Sequence, residues 1–209
     1  RRLNDAGWTC VVYTQDAATK NTTRSLMGVF SPGTFFSDET SSISNNAMVV
    51  WIERSNAVVR ATTKTFIGIA VADIFTGRTY VSEYTSIERH SPTTYDDIER
   101  SYSVYSPSEV IIVSSVDDSI VSQIVQYTGM DERRVRVVNP SCATAETGMV
   151  RNAKNSEKQA YQVETINTFF RRDDDGQSID ALMYDMRMNV YGFQALVFLL
   201  NYIYAHNPN

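Results

Sequence analysis

The sequence predicts an α/β domain built on a five-stranded mixed sheet, in which three antiparallel strands precede two strands connected through helices. Between residues 47 and 83, three strand-like runs follow one another with turn residues between them, as in an antiparallel meander. From about Thr94 onward, apolar residues recur at helical spacing, and these segments alternate with short apolar runs typical of buried strands. At 209 residues, the chain is long enough to form one substantial hydrophobic core.

The antiparallel strands are predicted at Ala47–Arg54, Phe66–Asp73 and the run that ends at Glu83. Residues 55–64, which connect the first two of these strands, form a segment long enough to extend a hairpin. Gly77 supplies the positive φ that the tight turn before the third strand needs. One face of the second strand carries small residues, which allow a helix or another backbone to come close: Gly68, Ala70 and Ala72.

The second half of the sheet is predicted as helix, strand, helix, strand. Thr94 is a candidate cap for a helix that runs to about Val104, and Glu109–Val113 is a buried strand. Asp117 or Asp118 caps the next helix, which Gly129 ends, and Val135–Asn139 forms the last strand. This order of elements is that of a ribonuclease-H-like sheet.

Further elements flank this sheet on both sides. They are predicted as a helix end at Arg1–Ala6 stopped by Gly7, strands at Trp8–Gln15 and Leu26–Phe30, a polar linker at Ser37–Asn46, a helix at Asn155–Phe170, a charged break at Arg171–Gly176, and a long helix at Ile179–Ala205. Phe198 and Tyr202, on the flanks of the last helix, are expected to be either exposed or docked back onto the rest of the chain.

Composition excludes several classes of function. Hydrophobic content of 43% and charged content of 21% are typical of a globular protein, and no apolar run reaches the roughly 20 residues of a membrane span. No secretory signal is visible, so an intracellular setting is expected. The cysteines and histidines lack metal-binding spacing: Cys10, Cys142, His90 and His206. A net charge of −5 disfavours a role as the main clamp on DNA phosphates.

Four collinear motifs carry a resemblance to a known family. They are Ser31-Pro-Gly-Thr34 followed by Ser37-Asp-Glu39, the hairpin from Ala72 to Glu83, the Ser106-Pro-Ser-Glu109 step into a strand, and the helix that contains Leu199-Leu-Asn-Tyr202. In this order and spacing the chain resembles MutS-type DNA mismatch repair proteins. Ser31 stands where that family has Thr, and Thr14 stands where it has Glu before Gln15.

The resemblance implies a domain layout and a set of partners. Residues 1–36 would end a mismatch-recognition domain, 37–46 would be a linker, 47–178 a connector domain with the ribonuclease-H-like fold, and 179–209 the first helix of the core domain. The longer parent would bind mismatched duplex DNA as a homo- or heterodimer, use ATP and Mg²⁺ in a distant domain, and recruit a MutL-like partner. This stretch itself would hold no cofactor, metal or catalytic residue and would relay between domains.

Two other functions stay open from the residues alone. A ribonuclease-H-like nuclease would bring carboxylates together around Asp73 to hold two metal ions, with candidates at Glu83, Asp96, Asp97 and Glu109. Their spacing does not oblige them to converge, and Asp73 lies at a hairpin end, where a carboxylate commonly accepts hydrogen bonds from turn amides. The third possibility is an independent interaction module, which would bind a MutL-like protein without the rest of the parent.

Overall fold

A computed structural model describes residues 2–15, 24–35, 45–57, 62–87, 92–141, 148–170, 183–184 and 188–206. The strands are β1 (Cys10–Gln15), β2 (Arg24–Phe30), β3 (Asn46–Ala57), β4 (Thr62–Asp73), β5 (Thr79–Ile87), β6 (Glu109–Ser114) and β7 (Val135–Val138). The helices are α1 (Arg2–Asp5), α2 (Asp96–Tyr105), α3 (Asp118–Thr128), α4 (Gly148–Ser156), α5 (Gln159–Phe169) and α6 (Val190–His206). No helix within these ranges is both long and apolar enough to cross a bilayer.

Five strands form the central sheet in the spatial order β5-β4-β3-β6-β7. β3, β4 and β5 are antiparallel neighbours, whereas β6 runs parallel to both β3 and β7. The predicted five-stranded mixed sheet and its order of elements are therefore confirmed. The hairpin between β3 and β4 is also longer than the predicted strand ends, because pairing continues to Ala57 and Thr62.

Apolar residues alternate between the two faces of the sheet, so each face has its own core. On one face, Trp51, Ile111 and neighbouring side chains pack against α4, α5 and α6. On the other, Met48, Ile69 and their neighbours pack against α2 and α3. Both faces of the central strands are covered, which explains why β6 is buried along its whole length.

The small face of β4 contacts the start of α6, and the close approach of a helix or another backbone to this face was predicted from the sequence. A Cβ atom built on Gly68 would lie 2.1 Å from the carbonyl carbon of Tyr191, a distance at which backbone atoms must move. Glycine at this position therefore permits contact between the strand and the helix backbone. Gly77 has a φ of +70° in the turn after β4, also as predicted.

Of the two placements expected for Phe198 and Tyr202, exposed or docked back, the structure shows the docked one. α6 lies across the sheet, and Phe198 and Tyr202 are both buried in the core beneath it. The docked placement holds because β3, β4 and β6 present an apolar face that matches the apolar face of the helix. The assignment of residues 179–209 to a separate core domain stays a prediction.

Some predicted boundaries need correction. The helix predicted at Asn155–Phe170 is two helices, α4 and α5, with the break at residues 157–158, and α4 begins earlier, at Gly148. α2 is preceded by a 3-10 turn, so Tyr95 rather than Thr94 is its N-cap residue. Continuous helix at the C-terminal end is described only from Val190. Most of the predicted linker at 37–46 and the break at 171–176 lie outside the described residues.

A smaller unit precedes the sheet. β1 and β2 form an antiparallel pair. α1 contacts the C-terminal end of β2 through the side chain of Asn4. The buried side chain of Asn4 donates hydrogen bonds to the carbonyls of Trp8 and Phe30, at 3.1 and 2.8 Å. Gly7 ends α1 with a φ of +89°, as predicted.

Candidate functional site

A buried carboxylate at the start of β6 joins three segments that are distant in sequence. Glu109 is only 2% exposed, although it begins a strand whose other residues are almost all apolar. A charge in such a place must be paired or hydrogen-bonded, because an isolated buried carboxylate is strongly unfavourable. The side chain of Glu109 is accordingly the centre of a polar junction.

Both carboxylate oxygens of Glu109 are engaged. Arg136 of β7 forms an ion pair with Oε1 at 2.7 Å, and the Tyr202 hydroxyl of α6 donates to the same oxygen at 2.9 Å. The Ser31 hydroxyl donates to Oε2 at 2.5 Å, and the backbone amide of Gly33 donates to it at 3.1 Å. We call Glu109 and these four partners the Glu109 junction.

The segment that leaves β2 is shaped to reach this junction. Ser31 and Thr34 form a buried turn in which their hydroxyls are 2.7 Å apart, and the Thr34 amide donates to the carbonyl of Ser31. A Cβ on Gly33 would lie 2.8 Å from the Cβ of Glu109, so a larger residue would push the turn away. Asn45 adds a further tie by donating to the carbonyl of Pro32 at 3.3 Å.

The Tyr202 hydroxyl stays protonated in this setting. Burial raises the pKa of Tyr202, and the nearby negative charge of Glu109 raises it further, against the smaller effect of the Arg136 guanidinium. The hydroxyl is therefore a permanent donor to the carboxylate at neutral pH. Arg136 is anchored in turn by a hydrogen bond to the hydroxyl of Thr9 in the first unit.

Asp73 has a separate and local role. Its Oδ1 accepts hydrogen bonds from the amides of Asn45 and Phe75, both at 3.1 Å, and its Oδ2 accepts from the Thr76 hydroxyl at 2.8 Å. Burial opposes ionisation, but these donors outweigh it together and lower the pKa of Asp73. This is the turn-stabilising role that the sequence favoured over a catalytic one.

Glu83 caps a helix. Its carboxylate accepts from the backbone amides of Tyr191 and Gly192, at 2.7 and 3.0 Å, in the first turn of α6. These amides have no partner within the helix, so a carboxylate both satisfies them and interacts favourably with the helix dipole. The cap fixes where α6 starts on the sheet.

The predicted carboxylates do not come together. Asp73 lies on the face of the sheet opposite to Glu83 and Glu109, because strand residues alternate between faces. On their shared face, Glu83 and Glu109 are four residues apart along the strands and three strands apart across the sheet, about 13 Å by about 14 Å. Two-metal chemistry needs carboxylates around ions roughly 4 Å apart. The positions of Asp73, Glu83 and Glu109 therefore do not form a two-metal nuclease centre.

The remaining candidates have ordinary surface partners. Asp96 accepts a hydrogen bond from the Tyr127 hydroxyl, and Asp97 pairs with Arg100 at 3.2 Å on α2. Across the part of the chain that the structure describes, no group of three or more His, Cys, Asp or Glu side chains is arranged to hold a metal ion. Cys10 is a free thiol, while Cys142 and His90 lie outside the described residues.

The sequence named Glu109 but missed its junction. The available signal was that Glu109 directly precedes four apolar residues of a predicted buried strand. A charge at such a position is expected to be buried, and a buried charge needs a partner. An arginine within the neighbouring short strand, Arg136, was the natural candidate. Ser31 and Tyr202 lie 78 and 93 residues away in sequence, so only the fold reveals them.

Comparison with known proteins gives one curated relative by sequence. The chain is similar to a putative DNA mismatch repair protein mutS homolog of Acanthamoeba polyphaga mimivirus, with 26% identity over 129 residues. The match covers 60% of this chain but only 12% of the relative, so the chain spans a small part of that protein's length. No family model matches.

Among solved structures, the chain is similar to the Holliday junction resolvase of fowlpox virus. Two crystal structures of that enzyme, one with substrate Holliday junction DNA, match with TM-scores of 0.38 and 0.37 and identities of 13% and 14%. Each match covers 75% of this chain and 96% of the resolvase chain. This structural similarity is too distant to assign a function to the chain.

Proposed function

We propose that this chain is the connector region of a MutS-like DNA mismatch repair protein and that its role is mechanical rather than catalytic. The collinear motifs and the similarity to the mimivirus mutS homolog support the family. The short share of that relative's length supports the view that the chain works within a larger protein. Its acidic net charge fits a block that positions other parts better than one that grips duplex DNA.

The observation that carries the proposal is the Glu109 junction. The turn at residues 31–34 follows β2 of the first unit, and α6 is the last helix that the structure describes. Both are hydrogen-bonded to one buried carboxylate on the central sheet. A displacement of either segment must therefore break contacts at Glu109, and this makes the block suited to passing a shift from one end to the other.

The wider activity is proposed for the parent protein. It would bind mismatched duplex DNA as a homo- or heterodimer, hydrolyse ATP with Mg²⁺ in a distant domain, and recruit a MutL-like partner. In this scheme the present block would lie between the part that contacts DNA and the part that binds ATP. A free surface of the same block would be available to the MutL-like protein.

The test is coupling in the full-length parent. We expect Glu109→Gln to leave mismatched-DNA binding and basal ATP hydrolysis near wild-type values while reducing the stimulation of hydrolysis by mismatched DNA. Arg133→Gln, which breaks an exposed ion pair with Asp131, is the matched control and should leave stimulation unchanged. Equal stimulation in wild type and Glu109→Gln would contradict the mechanical role.

A second experiment separates this role from nuclease activity. The 209-residue chain, incubated with labelled duplex or four-way-junction DNA and Mg²⁺ or Mn²⁺, is expected to leave the DNA intact. Metal-dependent cleavage that Asp73→Asn or Glu109→Gln abolishes would overturn the proposal. Binding of a MutL-like protein by the isolated chain would instead show that the block is sufficient as an interaction module.

A further inference from the structure

A groove of about 510 Å³ opens at the edge of the sheet where β6 and β7 end. Its walls are the second half of β3, the start of α6 and the residues around the end of α4. This is the edge where the parallel strands have their carboxyl ends, the usual location of ligand sites in α/β sheets. The Glu109 junction lies at the opposite ends of these strands, so the groove is a separate feature.

Acidic and aromatic side chains line this groove. Glu53 and Glu157 contribute two carboxylates, and Lys154 contributes one ammonium group, so the three formal charges sum to −1. Burial raises the pKa of Glu53, and the negative charge of Glu157 adds to this effect against the hydrogen bond from Ser115. Both carboxylates line the same groove, so their negative charges repel each other, and a cation placed between them would relieve that repulsion.

Gln194 points to a polar ligand. Its side chain lines the groove and the residue is only 8% exposed, yet the amide makes no hydrogen bond to the residues that the structure describes. The polar atoms of this amide are therefore accessible from the groove, and its oxygen is an acceptor that a bound donor group could satisfy.

The aromatic wall favours an organic cation over a metal ion. Tyr191 stacks on Phe66, with ring centroids 5.1 Å apart, and lines the groove beside Trp51. Divalent metals need a dense shell of oxygen ligands, whereas a guanidinium group uses carboxylates and aromatic faces together. The volume also exceeds what a single ion needs and falls in the range of small-molecule sites.

We propose that this groove is a guanidinium-binding site and that its natural occupant is an arginine side chain of a partner polypeptide. Glu53 and Glu157 pair with the cation, the oxygen of Gln194 accepts one of its hydrogens, and Tyr191 flanks the aliphatic stem. This binding chemistry does not depend on the role of the Glu109 junction.

The test uses as its reporter Trp51, a core residue that borders the groove. The chain has two tryptophans, and Trp8 is 66% exposed, so Trp8→Phe leaves a single reporter at little structural cost. Fluorescence is titrated with N-acetyl-arginine amide, and N-acetyl-citrulline amide is the neutral control of nearly the same shape. We expect a saturable change with the arginine compound and a response at least about fivefold weaker with citrulline.

Charge variants give opposite expected signs. Glu53→Gln should weaken binding about fivefold and Lys154→Met should strengthen it, while Glu164→Gln, which removes an exposed charge outside the groove, should change nothing. If Glu53→Gln unfolds, as judged by its thermal transition, the exposed Glu157→Gln takes its place. Equal binding of citrulline, no saturable change, or displacement of arginine by Mg²⁺ or Mn²⁺ at equal concentration would overturn the proposal.

Discussion

The Glu109 junction makes a quantitative prediction about stability. Glu109→Gln keeps the shape of the side chain but removes the charge. In either orientation, the new NH2 group of the glutamine is a donor placed next to another donor, the Arg136 guanidinium or the Gly33 amide. Removing one member of a fully buried ion pair costs about 3–5 kcal/mol. The side chain of Arg136 is 33% exposed and regains some hydration, so we expect a loss of about 2–3 kcal/mol.

Urea unfolding followed by circular dichroism measures this loss. With a denaturant slope of about 2 kcal/mol per molar for a domain of this size, the midpoint should fall by about 1 M or slightly more. The double variant with Arg136→Met removes both charges, and we expect a coupling energy of at least about 1.5 kcal/mol in the cycle.

The control is Arg133→Gln, which removes a more exposed ion pair of similar length, 2.9 Å, and should cost about 0.5 kcal/mol or less. If Glu109→Gln lies within about 0.5 kcal/mol of wild type, or if the two single effects simply add, the junction does not hold the segments together as argued.

Three further predictions follow from other contacts. Asp73→Asn should cost about 1 kcal/mol near pH 7. Because the pKa of Asp73 is lowered in the folded state, that difference should vanish as the pH falls through the folded pKa, below about 4, in urea titrations at several pH values. Gly68→Ala should lower the thermal midpoint strongly, since its Cβ would meet the Tyr191 backbone, whereas Gly148→Ala, with open space around the Cβ, should be neutral or stabilising. Glu83→Gln should cost about 1 kcal/mol and speed hydrogen exchange in the first turn of α6. A wild-type exchange rate there would exclude the proposed cap.

The sheet could be predicted because each strand carries its own local signal. β6 is a short apolar run, and β4 alternates between small and large residues, so neither depends on distant parts of the chain. The helices were harder to predict. The break between α4 and α5 has no proline or glycine at residues 157–158, and α4 begins at Gly148, although glycine has a low helix propensity. Here tertiary packing on the sheet outweighs local propensity.

The placement of α6 shows why apolarity alone did not reveal its partner. A helix that is apolar on most sides indicates burial but does not say against what. Two residues decide the question in the structure: Gly68 lets the helix backbone approach the sheet, and Glu83 caps its first turn. The sequence had identified Gly68 as allowing close approach, yet the pairing with Tyr191 spans 123 residues and needs the sheet register to be known.

The chemistry of the Glu109 junction also bears on why a charge lies there at all. An apolar residue at position 109 would pack with the rest of β6 and, in general, such replacements of buried ion pairs are neutral or stabilising once the partners are replaced too. What an apolar side chain cannot do is require Ser31, Arg136 and Tyr202 to be in fixed places, because dispersion contacts tolerate small shifts and hydrogen bonds to a carboxylate do not. The junction therefore contributes more to a single arrangement of the three segments than to net stability. Under the proposed function, such a fixed arrangement would pass a displacement of one segment on to the others, as a relay requires.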